Sequence, residues 1–112
     1  MVDATTVVVV RAYLTALEHA GLDVSCAVVF GSHAAGGASE WSDIDVVVVS
    51  PAFDAPRDHG AAAFLWRVAA RVDSRIEPIA CGAQQWQDDD TSAIIEIARR
   101  HGQRVELSLI HI

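Results

Sequence analysis

Hydrophobic residues in the first part of the chain recur at spacings of three and four. The positions that carry this pattern are Val7, Val10, Leu14 and Leu17. Such periodicity predicts an amphipathic helix from about Ala4 to Ala20. The run from Thr5 to Val10 alone would be typical of a strand, but polar and small residues continue on the opposite side of the pattern and favour the helix.

Two apolar runs follow this helix, and a segment rich in glycine, alanine and serine separates them. Val24 to Phe30 is rich in β-formers and stops at Gly31, which predicts a strand that ends there. The segment from Ser32 to Ser42 predicts a loop with one helical turn. Asp43 to Ser50 contains four consecutive valines, a pattern typical of a strand covered on both faces. We therefore expect this second strand at the centre of a sheet.

The second half of the chain continues the alternation of helices and strands. Helical spacing of apolar residues predicts a helix over Ala61 to Val72. Arg75 to Cys81 is predicted as a strand, and Pro78 within it favours an edge position or a strand end. Ser92 is a suitable N-cap for a helix running to about His101. Val105 to Ile112 is predicted as a final short strand.

This order of elements predicts an α/β (α+β) fold with helices packed on a small mixed β-sheet. The length of 112 residues suits one domain, spanning 1–112. No apolar run reaches the roughly 20 residues that cross a bilayer, so no membrane association is expected. The first residues show no signal-peptide pattern, and Cys26 and Cys81 lack metal-ligand spacing. We therefore expect a cytoplasmic protein with two buried thiols.

The charge of the chain restricts its partners. The net charge is −7, and all eight basic residues are arginines. A protein that binds nucleic acid without sequence preference needs a basic face that displaces counterions, so nucleic acid is not an expected partner. The only charge run, Asp88 to Asp90, is interpreted as a solvated loop.

Candidate chemistry begins where the first predicted strand ends. Gly31 allows a sharp backbone turn and the close approach of a phosphate, because it has no Cβ. Ser32 offers a hydroxyl and a backbone N–H to phosphate oxygens. Alone, a Gly-Ser pair is usually only a turn. Its position before an acidic motif makes it a candidate nucleotide-binding loop.

The acidic motif opens the second predicted strand. Side chains two apart on a strand project from the same face, so Asp43 and Asp45 can converge on one hard cation such as Mg²⁺, while Ile44 faces the core. Two like charges side by side repel, so the pair argues for a functional site and against a purely structural role. If the third strand lies beside the second, Glu77 adds a third carboxylate as metal ligand or general base, and a two-metal site becomes feasible.

These motifs resemble the minimal nucleotidyltransferase branch of the polymerase-β superfamily. Its loop commonly has the form Gly-Ser-x-Ala-x-Gly-x-Ala, and its acidic motif the form Ser-Asp-x-Asp. The matching residues here are Gly31, Ser32, Ala34, Gly36, Ala38, Ser42, Asp43 and Asp45. The resemblance is close from Val28 to Val49 and looser at Arg75 to Pro78 and at Ile94 to Arg100. The chain departs from the pattern at His33 and Ala35, where relatives often carry a residue that contacts phosphate.

The resemblance implies the polymerase-β-like nucleotidyltransferase fold and transfer of a nucleoside monophosphate, AMP from ATP, to a hydroxyl. It implies that Asp43 and Asp45 hold Mg²⁺ or Mn²⁺ and that Gly31 and Ser32 hold the terminal phosphates. Glu77 would complete the metal site or take the acceptor's proton. Because family members pair with HEPN proteins as antitoxin and toxin, a tyrosine of a HEPN-type partner is one implied acceptor.

Other readings of the sequence remain open. The acceptor site could form with a partner protein or with a second copy of the chain, and an aminoglycoside-like small molecule is an alternative acceptor. A non-catalytic module that neutralises a partner by binding it is the competing hypothesis, which the departures at His33 and Ala35 favour modestly. A haloacid dehalogenase-type phosphatase is disfavoured because its acidic motif follows a strand, whereas this one precedes a strand.

Two further residue types are interpreted as structural. His33 has no partner evident in the sequence, so we interpret it as a solvated loop residue in preference to a phosphate contact. The tryptophans at 41, 66 and 86 are interpreted as packing residues, because large aromatic side chains are usually buried. Only Trp41 adjoins the acidic motif, where it could stack on a nucleobase.

Overall fold

A computed structural model describes residues 2–35, 42–54, 60–89 and 92–106. These form helices and strands in the order α1 (Ala4–His19), β1 (Cys26–Phe30), α2 (Ser32–Ala35), β2 (Ile44–Ser50), a 3₁₀ turn (Pro51–Asp54), α3 (Gly60–Val72), β3 (Ile76–Gly82), α4 (Ala83–Asp88), α5 (Ala93–His101) and β4 (Gln103–Val105). The predicted helices and strands are confirmed to within two residues wherever the structure describes them, except at the final strand.

The four strands form one mixed sheet in the order β3-β2-β1-β4. β2 pairs with β1 in antiparallel and with β3 in parallel orientation, while β4 lies antiparallel to β1. The predicted central position of β2 is therefore confirmed. β3 is an edge strand, which is where a proline such as Pro78 costs no ladder hydrogen bond to a further neighbour.

Helices cover both faces of the sheet, and the alternation of β2 side chains divides the core between them. Val46 and Val48 pack toward α1 and α3, whereas Val47 and Val49 pack toward α4 and α5. All four valines are buried, as expected for a strand covered on both faces. Ile44 is also buried on the α1 side, as predicted, and this places its neighbour Asp45 on the opposite face.

Hydrogen bonds cap two of the helices and join α1 to α3. Asp3 caps α1 by accepting from the Thr6 backbone N–H at 2.9 Å. The Tyr13 hydroxyl donates to the Leu65 carbonyl at 2.9 Å, joining α1 to α3 inside the core. Ser92 caps α5 through the Ile95 N–H, as predicted.

Some expectations were wrong. Asp88 is the last residue of α4 and Asp89 is its C-cap, so these two acids end a helix that the sequence pattern did not predict. A short strand is present at Gln103–Val105, so it begins two residues before the predicted start, and residues 107–112 of the predicted strand lie outside the described part of the chain. Trp66 is 48% exposed on α3, so it is not a packing residue. None of the helices in the described ranges is long and apolar enough to cross a membrane.

Candidate active site

The acidic residues come together because β2 and β3 run parallel and in register. Asp45 is paired directly with Glu77, so the two side chains lie side by side on one face. Asp43 precedes β2 and lies close enough to share a hydrogen bond with Glu77. The structure therefore brings the three predicted carboxylates to one corner of the sheet, at the start of both strands.

The Gly-Ser pair reaches the same corner from the other side of β2. β1 is antiparallel to β2, and its last residue, Phe30, is paired with Asp45. Gly31 follows with φ of 74°, a left-handed conformation that favours glycine. A Cβ at Gly31 would lie 2.5 Å from Oδ2 of Asp45. Gly31 and Ser32 are exposed, so the loop presents its backbone to solvent directly beside the carboxylates.

Crowding of the carboxylates raises their proton affinity. Burial raises the pKa of Asp45, the negative charge of Asp43 raises it further, and His33 partly opposes the shift. The pKa of Glu77 is raised mainly by its hydrogen bond with Asp43, then by burial and by the charges of both aspartates. Two carboxyl groups can share a hydrogen bond only if one holds a proton. A positive charge placed among these groups would relieve the same repulsion.

The protein side chains do not complete a metal site by themselves. Within the described ranges, no group of three or more His, Cys, Asp or Glu side chains is arranged to hold a metal ion. Mg²⁺ is commonly held by one or two carboxylates, with substrate phosphates and water supplying the other oxygens. Asp43 and Asp45, beside an exposed Gly-Ser loop, fit this mode of binding, and the role of Glu77 as a metal ligand stays a prediction.

The interpretation of His33 as a solvated loop residue was wrong. Its side chain is 6% exposed and lies between α1 and the start of the acidic motif. Nδ1 lies 3.1 Å from the Thr6 hydroxyl, and Nε2 lies 3.1 Å from the Ser42 carbonyl oxygen. The sequence carried one signal of this contact, because Thr6 lies four residues before Val10 on the buried stripe of α1, where a polar side chain needs a partner.

Other predicted positions are placed as follows. Trp86 on α4 is partly buried in the core on the α5 side, and the Arg99 guanidinium lies 5.4 Å from its ring centroid. Trp41, Gly36 and Ala38 lie outside the described residues, as does the Ala35 side chain. Cys26 and Cys81 are free and buried, as expected, and burial raises the pKa of Cys81 to about 11.

Comparison with known proteins identifies the family and the fold. The family of nucleotidyltransferase domains matches residues 10–109, nearly the whole chain, and the chain therefore belongs to that family. A crystal structure of a candidate nucleotidyltransferase from Sulfolobus solfataricus is similar in fold, with a TM-score of 0.60 at 13% identity. That similarity covers 93% of this chain and 86% of the other. No curated protein matches the sequence.

The predicted α/β fold with a small mixed sheet is thereby confirmed, and it is the nucleotidyltransferase fold. Membership of the family supports nucleotide transfer as the general activity. The corner where β1 ends and β2 and β3 begin is the candidate active site.

Proposed function

We propose that the chain transfers AMP from ATP to a hydroxyl acceptor and releases pyrophosphate, with Mg²⁺ or Mn²⁺ held by Asp43 and Asp45. One observation carries the proposal: the Asp45 carboxylate lies so close to Gly31 that a Cβ on Gly31 would be 2.5 Å from Oδ2, at the corner where Glu77 is also paired with Asp45. A phosphate-accepting loop and carboxylates suited to a hard cation are thus adjacent, as a metal–nucleotide complex requires.

Each group has a distinct task in this mechanism. Gly31 and Ser32 direct N–H groups and a hydroxyl at the terminal phosphates, which fixes the triphosphate for in-line attack. Asp43 and Asp45 would hold the cation. When bound, the cation neutralises charge on the triphosphate and on the departing pyrophosphate.

The transfer step exchanges one phosphorus–oxygen bond for another. The acceptor oxygen attacks the α-phosphorus, the bond to the bridging oxygen of the β-phosphate breaks, and pyrophosphate leaves. The acceptor proton passes to Glu77, a carboxylate paired directly with Asp45 and therefore adjacent to the residues that would hold the cation. The alternative task for Glu77, as a further metal ligand, uses the same position beside Asp45.

The acceptor is proposed by analogy with the family resemblance. A tyrosine of a HEPN-type partner protein is the acceptor we favour, and the site would then be completed by that partner or by a second copy of the chain. The two buried free thiols suit the reducing cytoplasm, where such a pair would act.

The second candidate function is a non-catalytic module that neutralises a partner by binding. It is supported by α5, on which Ile94 and Ile97 are 45% and 47% exposed one helical turn apart. The proximity of Glu77 to both aspartates favours the catalytic function, because a binding module has no need of crowded carboxylates with raised pKa values.

Calorimetric titration of MgATP and MnATP tests the proposal. We expect wild type to bind and the double variant Asp43→Asn, Asp45→Asn to lose binding, since amides replace the anionic oxygens that a hard cation prefers. Asp23→Asn, Asp88→Asn is a control with the same change in charge, made at two exposed positions away from the corner. Equal loss in both double variants would show a general charge effect and contradict the assigned site.

A turnover assay separates the two candidate functions. Pyrophosphate release is measured with ATP and either a HEPN-type protein or an aminoglycoside as acceptor. Release that depends on Asp43 and Asp45 supports the transferase. Well-folded wild type that binds no nucleotide, but binds a HEPN-type protein equally well with and without the two aspartates, supports the module.

A further inference from the structure

The buried ring of His33 lies between three segments that meet at the candidate active site. It belongs to α2, directly after Gly31 and Ser32. One ring nitrogen contacts Thr6 in the first turn of α1, and the other contacts Ser42, which directly precedes Asp43. Neither His33 nor Thr6 is more than 6% exposed. The ring therefore has no access to a phosphate on the solvent side of the loop.

Hydrogen-bond chemistry defines the direction of both contacts. The Ser42 carbonyl oxygen can only accept, so Nε2 of His33 carries the proton that it receives. In the neutral ring Nδ1 is then an acceptor, and the Thr6 hydroxyl donates to it. Both ring nitrogens are satisfied, and no buried side-chain nitrogen or oxygen in the described part of the chain lacks a partner.

The hydrogen bond from His33 to Ser42 holds a part of the backbone that lies outside the paired residues of the sheet. The paired residues of β2 begin at Ile44, whose N–H donates to the Arg75 carbonyl at 2.8 Å. Asp43 and Ser42 precede this ladder, so the backbone pairing of β2 with β3 does not include them, and the Asp43 carboxylate is joined to β3 through its hydrogen bond with the Glu77 side chain. The bond from His33 holds the peptide unit immediately before Asp43.

The other contact gives this bond a rigid support. Thr6 lies in the first turn of α1, and its backbone N–H is bonded to the Asp3 cap at 2.9 Å. α1 is anchored in the core through Val10 and Leu14, which are fully buried. The ring is thus held by a helix whose position does not depend on the loop.

We propose that His33 is a positioning residue that sets the distance between the phosphate-binding pair Gly31–Ser32 and the metal-binding carboxylate of Asp43. The inference rests on the proposed function, because it assigns an effect on metal–nucleotide binding to a residue that touches neither ligand. In this proposal His33 does not contact phosphate. Its buried ring holds the Gly31–Ser32 loop against the residue that precedes Asp43.

Three substitutions separate the two contacts of the ring. His33→Asn keeps an oxygen near the Nδ1 position, which can accept from Thr6, but it is too short to reach Ser42. His33→Gln extends an amide N–H to about the Nε2 position and can restore the bond to Ser42. Thr6→Val removes the hydroxyl with little change of shape and leaves the bond from His33 to Ser42 in place.

MgATP affinity and urea stability are measured for each variant. We expect His33→Asn to weaken MgATP binding about tenfold, which corresponds to about 1.4 kcal/mol. His33→Gln is expected within about threefold of wild type. Thr6→Val removes the support of the ring but keeps its bond to Ser42, so it should weaken MgATP binding less than His33→Asn does, while lowering the urea midpoint. A merely structural role would instead lower affinity in step with stability across all three variants, and that result overturns the proposal.

A second measurement needs no nucleotide. Nitrogen NMR of the His33 ring at pH 8 should show the Nε2–H tautomer in wild type, and the Nδ1–H tautomer would overturn the proposal.

The outcomes of the MgATP titration also separate the proposed function from the proposed role of His33. Wild type that fails to bind MgATP overturns the proposed function and the role of His33 with it. Wild type that binds while His33→Asn binds equally well overturns the role of His33 alone.

Discussion

Gly31 and Asp45 lie so close together that a side chain at position 31 would displace the Asp45 carboxylate. A Cβ placed on Gly31 would lie 2.5 Å from Oδ2 of Asp45, well inside van der Waals contact. The two residues are brought together by the antiparallel pairing of β1 with β2, in which Phe30 is opposite Asp45. The proposed phosphate loop and the strand proposed to hold the metal are therefore packed against each other, and we expect a change in one to displace the other.

Gly31→Ala tests this contact. The variant combines a clash with Asp45 and a left-handed backbone at φ of 74°. We expect a loss of stability of about 1–2 kcal/mol from the backbone strain, together with loss of MgATP binding as the carboxylate is displaced. Urea unfolding and calorimetry measure the two effects.

Gly21→Ala is the matched control for that variant. Gly21 also has a positive φ, of 103°, but a Cβ there would meet nothing within 4 Å. Gly21 lies at the C-terminal end of α1, and its variant should lose similar stability while binding MgATP as wild type does. If both variants bind equally well, the Gly31–Asp45 contact has no functional consequence.

Glu77→Gln tests the third carboxylate. The amide can still donate to Asp43, so the corner should keep its shape while losing one negative charge. If Glu77 is the base, AMP transfer should fall about 10²- to 10⁴-fold, whereas the KM for MgATP changes little. Steady-state kinetics of pyrophosphate release provide the measurement.

The same kinetics distinguish the base from a metal ligand. A rise in the KM for MgATP, or in the Mg²⁺ concentration needed for half-maximal rate, would assign Glu77 to the metal. Glu96→Gln is the control, because Glu96 is partly exposed on α5 and pairs with Arg99 and Arg100. Unchanged kinetics in Glu77→Gln would remove Glu77 from the mechanism.

Asp73 makes the free energy of unfolding depend on pH, and the shift of its pKa determines the direction of that dependence. Its carboxylate accepts hydrogen bonds from the Arg75 backbone N–H at 2.9 Å and from the guanidinium at 2.8 and 3.0 Å. These contacts lower the pKa of Asp73 below its ordinary value of 3.8. The folded state therefore binds the proton less tightly than the unfolded state, so the stabilisation is complete above pH 3.8 and is lost as pH falls through the lower folded pKa.

The expected result follows for Asp73→Asn. At pH 7 the variant should be less stable than wild type by about 1 kcal/mol, since the ion pair is partly exposed. The difference should shrink as the pH falls below 3.8 and through the lower folded pKa, where the wild-type carboxyl becomes protonated as well. Urea unfolding at pH 7 and near pH 3 measures it, and a difference that grows at low pH would contradict the assignment.

Asp54 is expected to stabilise α4 without affecting the site. Its carboxylate accepts from the backbone N–H groups of Gln84 and Gln85 at 2.9 and 3.3 Å, so it caps a helix in a distant part of the sequence. Asp54→Ala should cost about 1 kcal/mol, whereas Asp54→Asn, which can still accept, should cost less. MgATP affinity should be the same in both, and thermal unfolding ranks the variants.

The local sequence pattern was sufficient to predict most helices and strands, and to place Asp43 and Asp45 on one face of a strand. A helical or strand period shows which residues share a face, because side chains repeat every 3.6 residues in a helix and every two in a strand. This is why α1, β2 and α3 were predicted close to their observed bounds, and why Asp43 and Asp45 were expected on one face. α4, with only six residues, is too short to show a period, and the sequence did not predict it.

Tertiary structure decided which side chains meet across elements. The pairing of Asp45 with Glu77 depends on the register of two strands separated by α3, and no local pattern contains that register. The burial of His33 likewise depends on α1 packing against the loop more than 20 residues away, which converts an apparently solvated ring into a contact between Thr6 and Ser42. The residue types and their spacing thus determined the chemistry available to this protein, whereas long-range packing, which places each group among its partners, determined its arrangement.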